Sequence, residues 1–109
     1  MNKGELVEEI YQSNDLTKSE CREVLDSVIE SIAETVAKGE KVRLVNFGTF
    51  EPSPRRETVK RHPVTGEKIE VSAKVVPKFR SGKGFSELVE ENLKTVRNGS
   101  GQLEVKQNG

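Results

Sequence analysis

The sequence predicts an α+β protein in which two helices precede a short hairpin, a long hairpin and a last helix. Three observations support this order. Apolar residues recur at helical spacing up to about residue 38, the spacing changes to two from Val42 onward, and a helical face returns after Ser81. Of the 109 residues, 32% are hydrophobic and 33% are charged, so one small domain with a modest core is expected.

The first predicted helix covers residues 3–13. Asn2 and Glu5 occupy the two positions of a capping box, in which each side chain binds a free backbone amide at the helix start. Val7 and Ile10 then belong to an apolar face with helical spacing. We therefore expect a short amphipathic helix here.

The second predicted helix covers residues 18–38 and begins at a second capping box, formed by Thr17 and Glu20. An apolar stripe with steps of three and four follows, and Gly39 stands where a left-handed cap would end the helix. Cys21 belongs to this stripe and is interpreted as a small buried hydrophobe. The stripe consists of Cys21, Val24, Leu25, Val28, Ile29, Ile32 and Val36.

Two hairpins are predicted next. The first is short, turns at residues 46–48, and contributes Leu44, Phe47 and Phe50 to the core. The second covers about residues 52–77 and has so few large apolar residues that neither face can be buried. A two-stranded ribbon alone in water is marginally stable, so we expect a partner to order it.

The long hairpin turns at residues 61–66, where Pro63 presets φ and Gly66 supplies a positive φ. Its return strand runs to Phe79, which we assign to the core. The last helix follows, and beyond it residues 95–109 are rich in Gly, Asn and Gln without a repeating period. We expect this segment to be a disordered tail. The apolar face of the last helix is predicted to be Phe85, Leu88, Val89 and Leu93.

Charge is segregated along the chain although the formal total is zero. Residues 1–40 carry four basic and ten acidic side chains, a net of −6. Residues 41–83 carry eleven basic and four acidic side chains, a net of +7, and the remainder has a net of −1. Since local potential governs polyanion binding more than the total does, the basic middle favours a polyanionic partner.

Several classes of protein are excluded. One cysteine forms no internal disulfide, and with a single histidine it offers no metal cluster, so no metal or cofactor is expected. The sequence has no apolar run of membrane-spanning length and no secretory signal, which favours a cytoplasmic protein. No nucleophile–base pair or phosphate loop indicates an enzyme or a small-molecule substrate.

A dimer is expected from the size of the core. Without the long hairpin and the tail, about 70 residues remain, and domains this small often need oligomerisation. The stripe on the second helix exceeds what one short helix would cover. Two chains sharing one core would bury it.

Four segments together resemble the HU/integration host factor family of bacterial DNA-bending proteins. They are MNKGELV at the start, KGEKVRLVNFGTFE at 38–51, RHPVTGEKIEVSA at 61–73 and VPKFRSGK at 76–83. The resemblance implies an intertwined helical dimer with a short three-stranded antiparallel sheet per subunit and a protruding two-stranded β-ribbon arm. It places this domain at residues 1–94.

The resemblance also implies the function: a histone-like, nucleoid-associated protein that binds double-stranded DNA through the minor groove and bends it by inserting Pro63. A homodimer with little sequence specificity is expected. A site-specific subunit, paired with a different chain, is the alternative, and a module that binds an acidic protein is a remote one. The implied DNA-contacting residues are Lys3, Asn46, Arg55, Arg56, Lys60, Arg61, His62, Thr65, Lys74, Lys78, Arg80 and Lys83, and the implied dimer core is Val28, Ile29, Ile32, Leu44, Phe47, Phe50 and Phe79.

The sequence departs from the family pattern at four positions. His62 replaces the usual asparagine before the tip proline, Thr58 a common arginine, and Lys60 and Asn46 common glycines. An imidazole held against phosphates prefers its charged form, so His62 suggests that binding strengthens as pH falls toward 6.

Overall fold

A computed structural model describes residues 1–108 and divides the chain into two compact units, Met1–Glu40 and a second that begins at Lys41. The first unit is a pair of helices, α1 (Lys3–Gln12) and α2 (Lys18–Ala37). Both predicted helices are confirmed to within one residue at each end. Within the described part of the chain, no helix is both long enough and apolar enough to cross a bilayer.

The N-termini of α1 and α2 are capped by side chains. The Asn2 side chain accepts a hydrogen bond from the Glu5 amide over 2.9 Å. The Thr17 hydroxyl accepts from the Glu20 amide over 3.1 Å, and the Glu20 carboxylate accepts from the Thr17 amide over 3.2 Å, which completes the predicted capping box. The backbone hydrogen bond from Thr17, followed by that from its side chain, lowers the pKa of Glu20 below its ordinary value.

An ion pair connects the two helices. The ammonium group of Lys18 lies 2.9 Å from a carboxylate oxygen of Glu8. Their hydrogen bond lowers the pKa of Glu8 and raises that of Lys18. Because both side chains are exposed, this pair contributes little to stability.

Very little of the helical unit is buried in the single chain. Val7 is 3% exposed and Cys21 is 1% exposed, which agrees with the interpretation of Cys21 as a buried hydrophobe. They are the only buried hydrophobic residues between positions 1 and 108. Val28 and Ile29 remain 46% and 49% exposed, so the middle of the α2 stripe is uncovered in the single chain.

Residues 41–108 of the second unit form seven strands and one helix. The strands are β1 (Val42–Leu44), β2 (Gly48–Arg55), β3 (Thr58–Arg61), β4 (Lys68–Val71), β5 (Lys74–Ser81), β6 (Leu93–Arg97) and β7 (Leu103–Gln107), and the helix is α3 (Lys83–Asn92). Strands β1, β2 and β5 form the predicted three-stranded antiparallel sheet, with β2 in the centre.

The register of this sheet separates an apolar face from a basic face. Phe50 lies opposite Val42 on one side and opposite Phe79 on the other. Side chains that are directly paired share a face, and alternate residues along a strand change face. The apolar face therefore carries Val42, Leu44, Phe50, Pro52, Pro54, Val75, Pro77 and Phe79.

An aromatic cluster connects the sheet to α3. The Phe47 and Phe85 rings are stacked with centroids 5.1 Å apart, and Phe79 lies 5.4 Å from Phe47 and 4.7 Å from Phe50. The chain can pack this way because Gly48 has no side chain: a Cβ there would lie 2.4 Å from the tip of the Phe79 ring. The predicted core role of the phenylalanines is consistent with this cluster, although Phe47 remains 45% exposed.

The predicted long hairpin is present as two consecutive ladders. The β2–β5 ladder continues to the pair Arg55–Lys74, and β3 and β4 then form a separate two-stranded ribbon. Residues 56–57 and 72–73 interrupt the pairing. Every residue of the ribbon is exposed except Val71, which is half-buried, as expected for a segment with so few apolar side chains.

The C-terminal segment differs from the prediction. Residues 95–107 belong to an antiparallel hairpin of β6 and β7 instead of a disordered tail, and Leu93 begins β6 instead of extending α3. The Gly- and Asn-rich sequence is the turn of this hairpin: the Asn98 side chain accepts from the Ser100 and Gln102 amides, and Gly101 has a φ of +80°. Gly109, also in the predicted tail, lies outside the described residues.

Candidate nucleic-acid interface

The tip of the ribbon presents Pro63 to solvent on a tightly closed turn. The His62 amide donates to the Glu67 carbonyl over 2.8 Å, and the Gly66 amide donates to the His62 carbonyl over 2.9 Å. Gly66 adopts a φ of +72°, which favours glycine. Pro63 is exposed and its neighbour Val64 is 87% exposed, so the tip offers a rigid apolar surface that no described residue covers.

The His62 ring stabilises the same turn. Its Nδ1 atom accepts hydrogen bonds from the Val64 and Thr65 amides, both over 3.2 Å. Protonation of Nδ1 would remove both bonds, so this geometry opposes the hypothesis that the charged ring strengthens binding. His62 thus acts as the acceptor that an asparagine oxygen provides in an Asx turn.

Two cationic side chains are adjacent at the tip end of the ribbon. Arg61 lies directly opposite Lys68, on the same face, and Lys60 lies opposite Ile69 on the other face. One Arg61 nitrogen donates to the Gly66 carbonyl over 3.1 Å, which leaves the rest of its guanidinium available. The ribbon therefore carries cations on both faces.

Basic residues also share the polar face of the three-stranded sheet. Arg55 is paired with Lys74, and both are exposed. Nearer the base of the sheet, Arg80 contacts Glu51 through two oxygens, at 2.7 Å and 3.3 Å. The basic residues on this face are Arg43, Arg55, Lys74, Lys78 and Arg80.

Three of the predicted DNA-contacting residues have acidic partners within the chain. Lys3 lies 2.9 Å from Asp26 in the helical unit. Lys83, at the start of α3, lies 3.8 Å from Glu87, and Arg80 is held by Glu51. These pairs neutralise part of the positive charge that the sequence predicts. Within residues 1–108, no salt bridge involves Arg55, Arg56, Lys60, Arg61, Lys74 or Lys78.

Two other predicted contacts have structural roles. Asn46 adopts a φ of 66°, and its carbonyl accepts from the Phe85 amide in the first turn of α3 over 3.0 Å. The Thr65 hydroxyl accepts from the Glu67 amide over 3.3 Å, within the tip turn. Both residues therefore shape the backbone of the candidate interface.

Sequence reasoning missed Lys68 and Arg43. Lys68 is the cross-strand partner of Arg61, and Arg43 is the partner of Thr49 on the polar face of the sheet. Counting back from the tip turn pairs residue 68 with residue 61, and the alternation of Val42, Arg43 and Leu44 places Arg43 on the polar face. Both signals were present in the sequence.

Comparison with known proteins decides the family. The family model described as "Bacterial DNA-binding protein" matches residues 1–90. The chain belongs to this family. Membership agrees with the prediction of a non-enzymatic protein and with the resemblance drawn from the four sequence segments.

Curated relatives of this family are similar over most of the chain. The DNA-binding protein HU of Staphylococcus aureus is 43% identical over 89 residues, which cover 82% of this chain and 99% of that relative. The DNA-binding protein HU of Nostoc sp. is 45% identical over 89 residues, covering 82% of this chain and 95% of that relative.

Solved structures of the family share the fold. An Anabaena HU–DNA cocrystal structure gives a TM-score of 0.77 at 45% identity, covering 82% of this chain and 97% of that one. An HU mutant from Thermotoga maritima gives 0.60 at 34% identity, covering 82% and 99%. The β6–β7 hairpin lies beyond residue 90, where the family match ends.

Proposed function

We propose that this chain is a histone-like architectural protein that binds double-stranded DNA from the minor-groove side and bends it by inserting Pro63 between base pairs. The observation that carries the proposal is the exposed ribbon, with an unpartnered proline on a closed turn and two adjacent cations behind it. Minor-groove wedges of this kind are known for HU and integration host factor.

The free-energy cost of bending requires both the proline and the cations of the ribbon. Unstacking one base step costs about a few kcal/mol, and bending a site of this size adds about 1–6 kcal/mol in elastic treatments. A rigid proline ring can fill the opened step without losing side-chain entropy. Phosphate contacts then offset the remaining cost, and they release counterions, so affinity should fall steeply with salt. The side chains available for these contacts are Arg55, Arg56, Lys60, Arg61, Lys68, Lys74 and Lys78.

The binding unit in this proposal is a homodimer. Five of the seven predicted core residues are more than one third exposed in the single chain: Val28 46%, Ile29 49%, Leu44 40%, Phe47 45% and Phe79 38%. The other two, Ile32 and Phe50, are half-buried. A second chain would remove this apolar surface from water, which is the main favourable term in association. Sedimentation should give twice the chain mass of 12.1 kDa.

Little sequence specificity is expected overall. Phosphate contacts carry no sequence information, and the minor groove does not distinguish A·T from T·A or G·C from C·G pairs. Competition between random and A-tract duplexes distinguishes this proposal from a site-specific subunit that selects deformable DNA. A difference of about tenfold or less supports the non-specific protein, and selection of about a thousandfold or more supports the site-specific alternative.

Fluorescence transfer between dyes at the two ends of a duplex tests the proposal. Binding should shorten the end-to-end distance, and the affinity should fall linearly on a log–log plot against salt. Binding with no change in transfer would contradict bending, and no salt-sensitive binding at all would instead favour the acidic-protein alternative.

A further inference from the structure

The tip turn fixes which nitrogen of His62 carries the proton. Backbone amides only donate, and two of them, from Val64 and Thr65, converge on Nδ1 at 3.2 Å. Nδ1 is therefore unprotonated in this turn, and the proton of the neutral ring is on Nε2. The ring presents a hydrogen-bond donor on the side opposite to the turn.

Backbone hydrogen bonds on both sides of His62 hold its Nε2–H group in place. The His62 amide donates to the Glu67 carbonyl over 2.8 Å, and the His62 carbonyl accepts from the Gly66 amide over 2.9 Å. The residue is exposed, and within residues 1–108 no group accepts a hydrogen bond from Nε2. A donor with fixed direction and no partner thus stands directly before Pro63.

The minor groove offers this donor two different surroundings. A·T pairs present only acceptors there, the adenine N3 and the thymine O2, whereas G·C pairs add the 2-amino donor of guanine. An N–H group meets only acceptors at an A·T pair, whereas at a G·C pair the 2-amino group lies between the acceptors and opposes a second donor. A neutral imidazole with its proton on Nε2 is therefore suited to A·T pairs.

We propose that His62 makes the ribbon tip prefer A·T over G·C pairs at the step into which Pro63 inserts, through its Nε2–H group. This inference rests on the proposed minor-groove insertion and adds a local base preference to it. One hydrogen bond made and one donor–donor clash avoided correspond to about three- to tenfold in affinity. The preference is confined to the inserted step, so it leaves most of the binding non-specific.

The DNA substrates isolate the 2-amino group. We would use three duplexes in which a single-base bulge provides the most easily opened step and thereby fixes the insertion site. The pairs flanking the bulge are A·T, G·C or inosine·C. Inosine differs from guanine only by lacking the 2-amino group, so the last two duplexes differ by that group alone.

The protein variant isolates the donor. His62→4-thiazolylalanine, introduced by semisynthesis, keeps a ring nitrogen at the Nδ1 position and places sulfur where Nε2–H stands. It preserves the acceptor for the Val64 and Thr65 amides and removes the donor. His62→Asn serves as a genetic control for the turn, since its side-chain oxygen also accepts from these amides.

The wild-type protein should prefer the A·T and inosine·C duplexes to the G·C duplex. The thiazolyl variant should lose about three- to tenfold of this preference and keep only the part that comes from the easier opening of pairs with two hydrogen bonds. Nitrogen-15 spectra of the free protein at pH 8 should assign the proton to Nε2. The same preference in wild type and in the thiazolyl variant, in a protein that still bends DNA, or a proton on Nδ1, would overturn the inference alone. Absence of bending on every duplex would overturn the proposed function and this inference together.

Discussion

Arg61 and Lys68 lie directly opposite each other on one face of the β3–β4 ribbon, two residues from Pro63 on the Arg61 side. Like charges in this position destabilise a two-stranded ribbon in the free protein. Neither side chain has a carboxylate within salt-bridge distance in the described residues. A phosphate between them would relieve the repulsion, so we expect this pair to be a principal DNA-binding element behind the wedge.

Removing this pair should weaken binding on every duplex. For Arg61→Gln with Lys68→Gln, we expect the slope of log affinity against log salt to fall by roughly one unit for each phosphate that the variant no longer neutralises. Lys94 and Lys106 form a matched control, since they also oppose each other but lie on the β6–β7 hairpin beyond the family match. An unchanged slope in the ribbon variant would contradict this role.

Asn46 should contribute to the backbone and not to DNA affinity. It adopts a φ of 66°, and its side chain has no hydrogen-bond partner among the described residues. Asn46→Gly should stabilise the protein by up to about 1 kcal/mol, because glycine adopts positive φ without a Cβ penalty. Chemical denaturation gives the stability, and a titration with duplex DNA should show an affinity within twofold of wild type. A large drop in affinity would restore Asn46 as a DNA-binding residue.

The packing of Phe79 on Gly48 predicts a site that tolerates no side chain. A Cβ at Gly48 would lie 2.4 Å from the ring and 2.6 Å from the Arg80 carbonyl oxygen, and the backbone atom has little freedom to move. We expect Gly48→Ala to lower the free energy of unfolding by about 2–3 kcal/mol. Gly99→Ala is the control, since nothing lies within 4 Å of a Cβ there. Equal stabilities of the two variants would contradict the packing argument.

The capping box predicts a pH dependence. Hydrogen bonds from Thr17 lower the pKa of Glu20 below its ordinary value of 4.5. A carboxyl group whose pKa is lower in the folded than in the unfolded protein stabilises the fold. This stabilisation is complete above the pKa of the unfolded state and is lost as pH falls through the pKa of the folded state. The stability advantage of wild type over Glu20→Gln should therefore shrink between pH 6 and pH 3. Denaturation curves at both pH values measure it, and a constant difference would contradict this account of Glu20.

The sequence predicted the parts of the fold that depend on local patterns. The capping box at Thr17 and the apolar stripe of α2 determined the second helix, and the change of period after Val42 determined the sheet. The hairpin that begins at Leu93 departs from the prediction because Gly and Asn in residues 98–101 are as typical of a disordered segment as of a turn. Composition alone does not separate these two cases; the alternation in the flanking residues does.

The candidate site was predicted less completely, because side-chain pairing depends on register. Residue type predicts the positive charge of Arg80, but its neutralisation by Glu51 depends on the alignment of two residues that are 29 positions apart in the chain. Similarly, no local pattern indicates that the His62 ring accepts from two amides of its own turn. Residue types are enough to predict the ribbon, but the three-dimensional arrangement determines which cationic side chains remain free to contact DNA.

The central claim is that Pro63 bends DNA by insertion, and the bend angle of saturated complexes tests it most directly. Fluorescence transfer on an end-labelled duplex should show a clear loss of bending for Pro63→Ala while the affinity falls less, since the cations of the ribbon remain. Val64→Ala, at the neighbouring position, which is also exposed, should bend DNA like the wild type. Equal bend angles for wild type and Pro63→Ala would contradict the account.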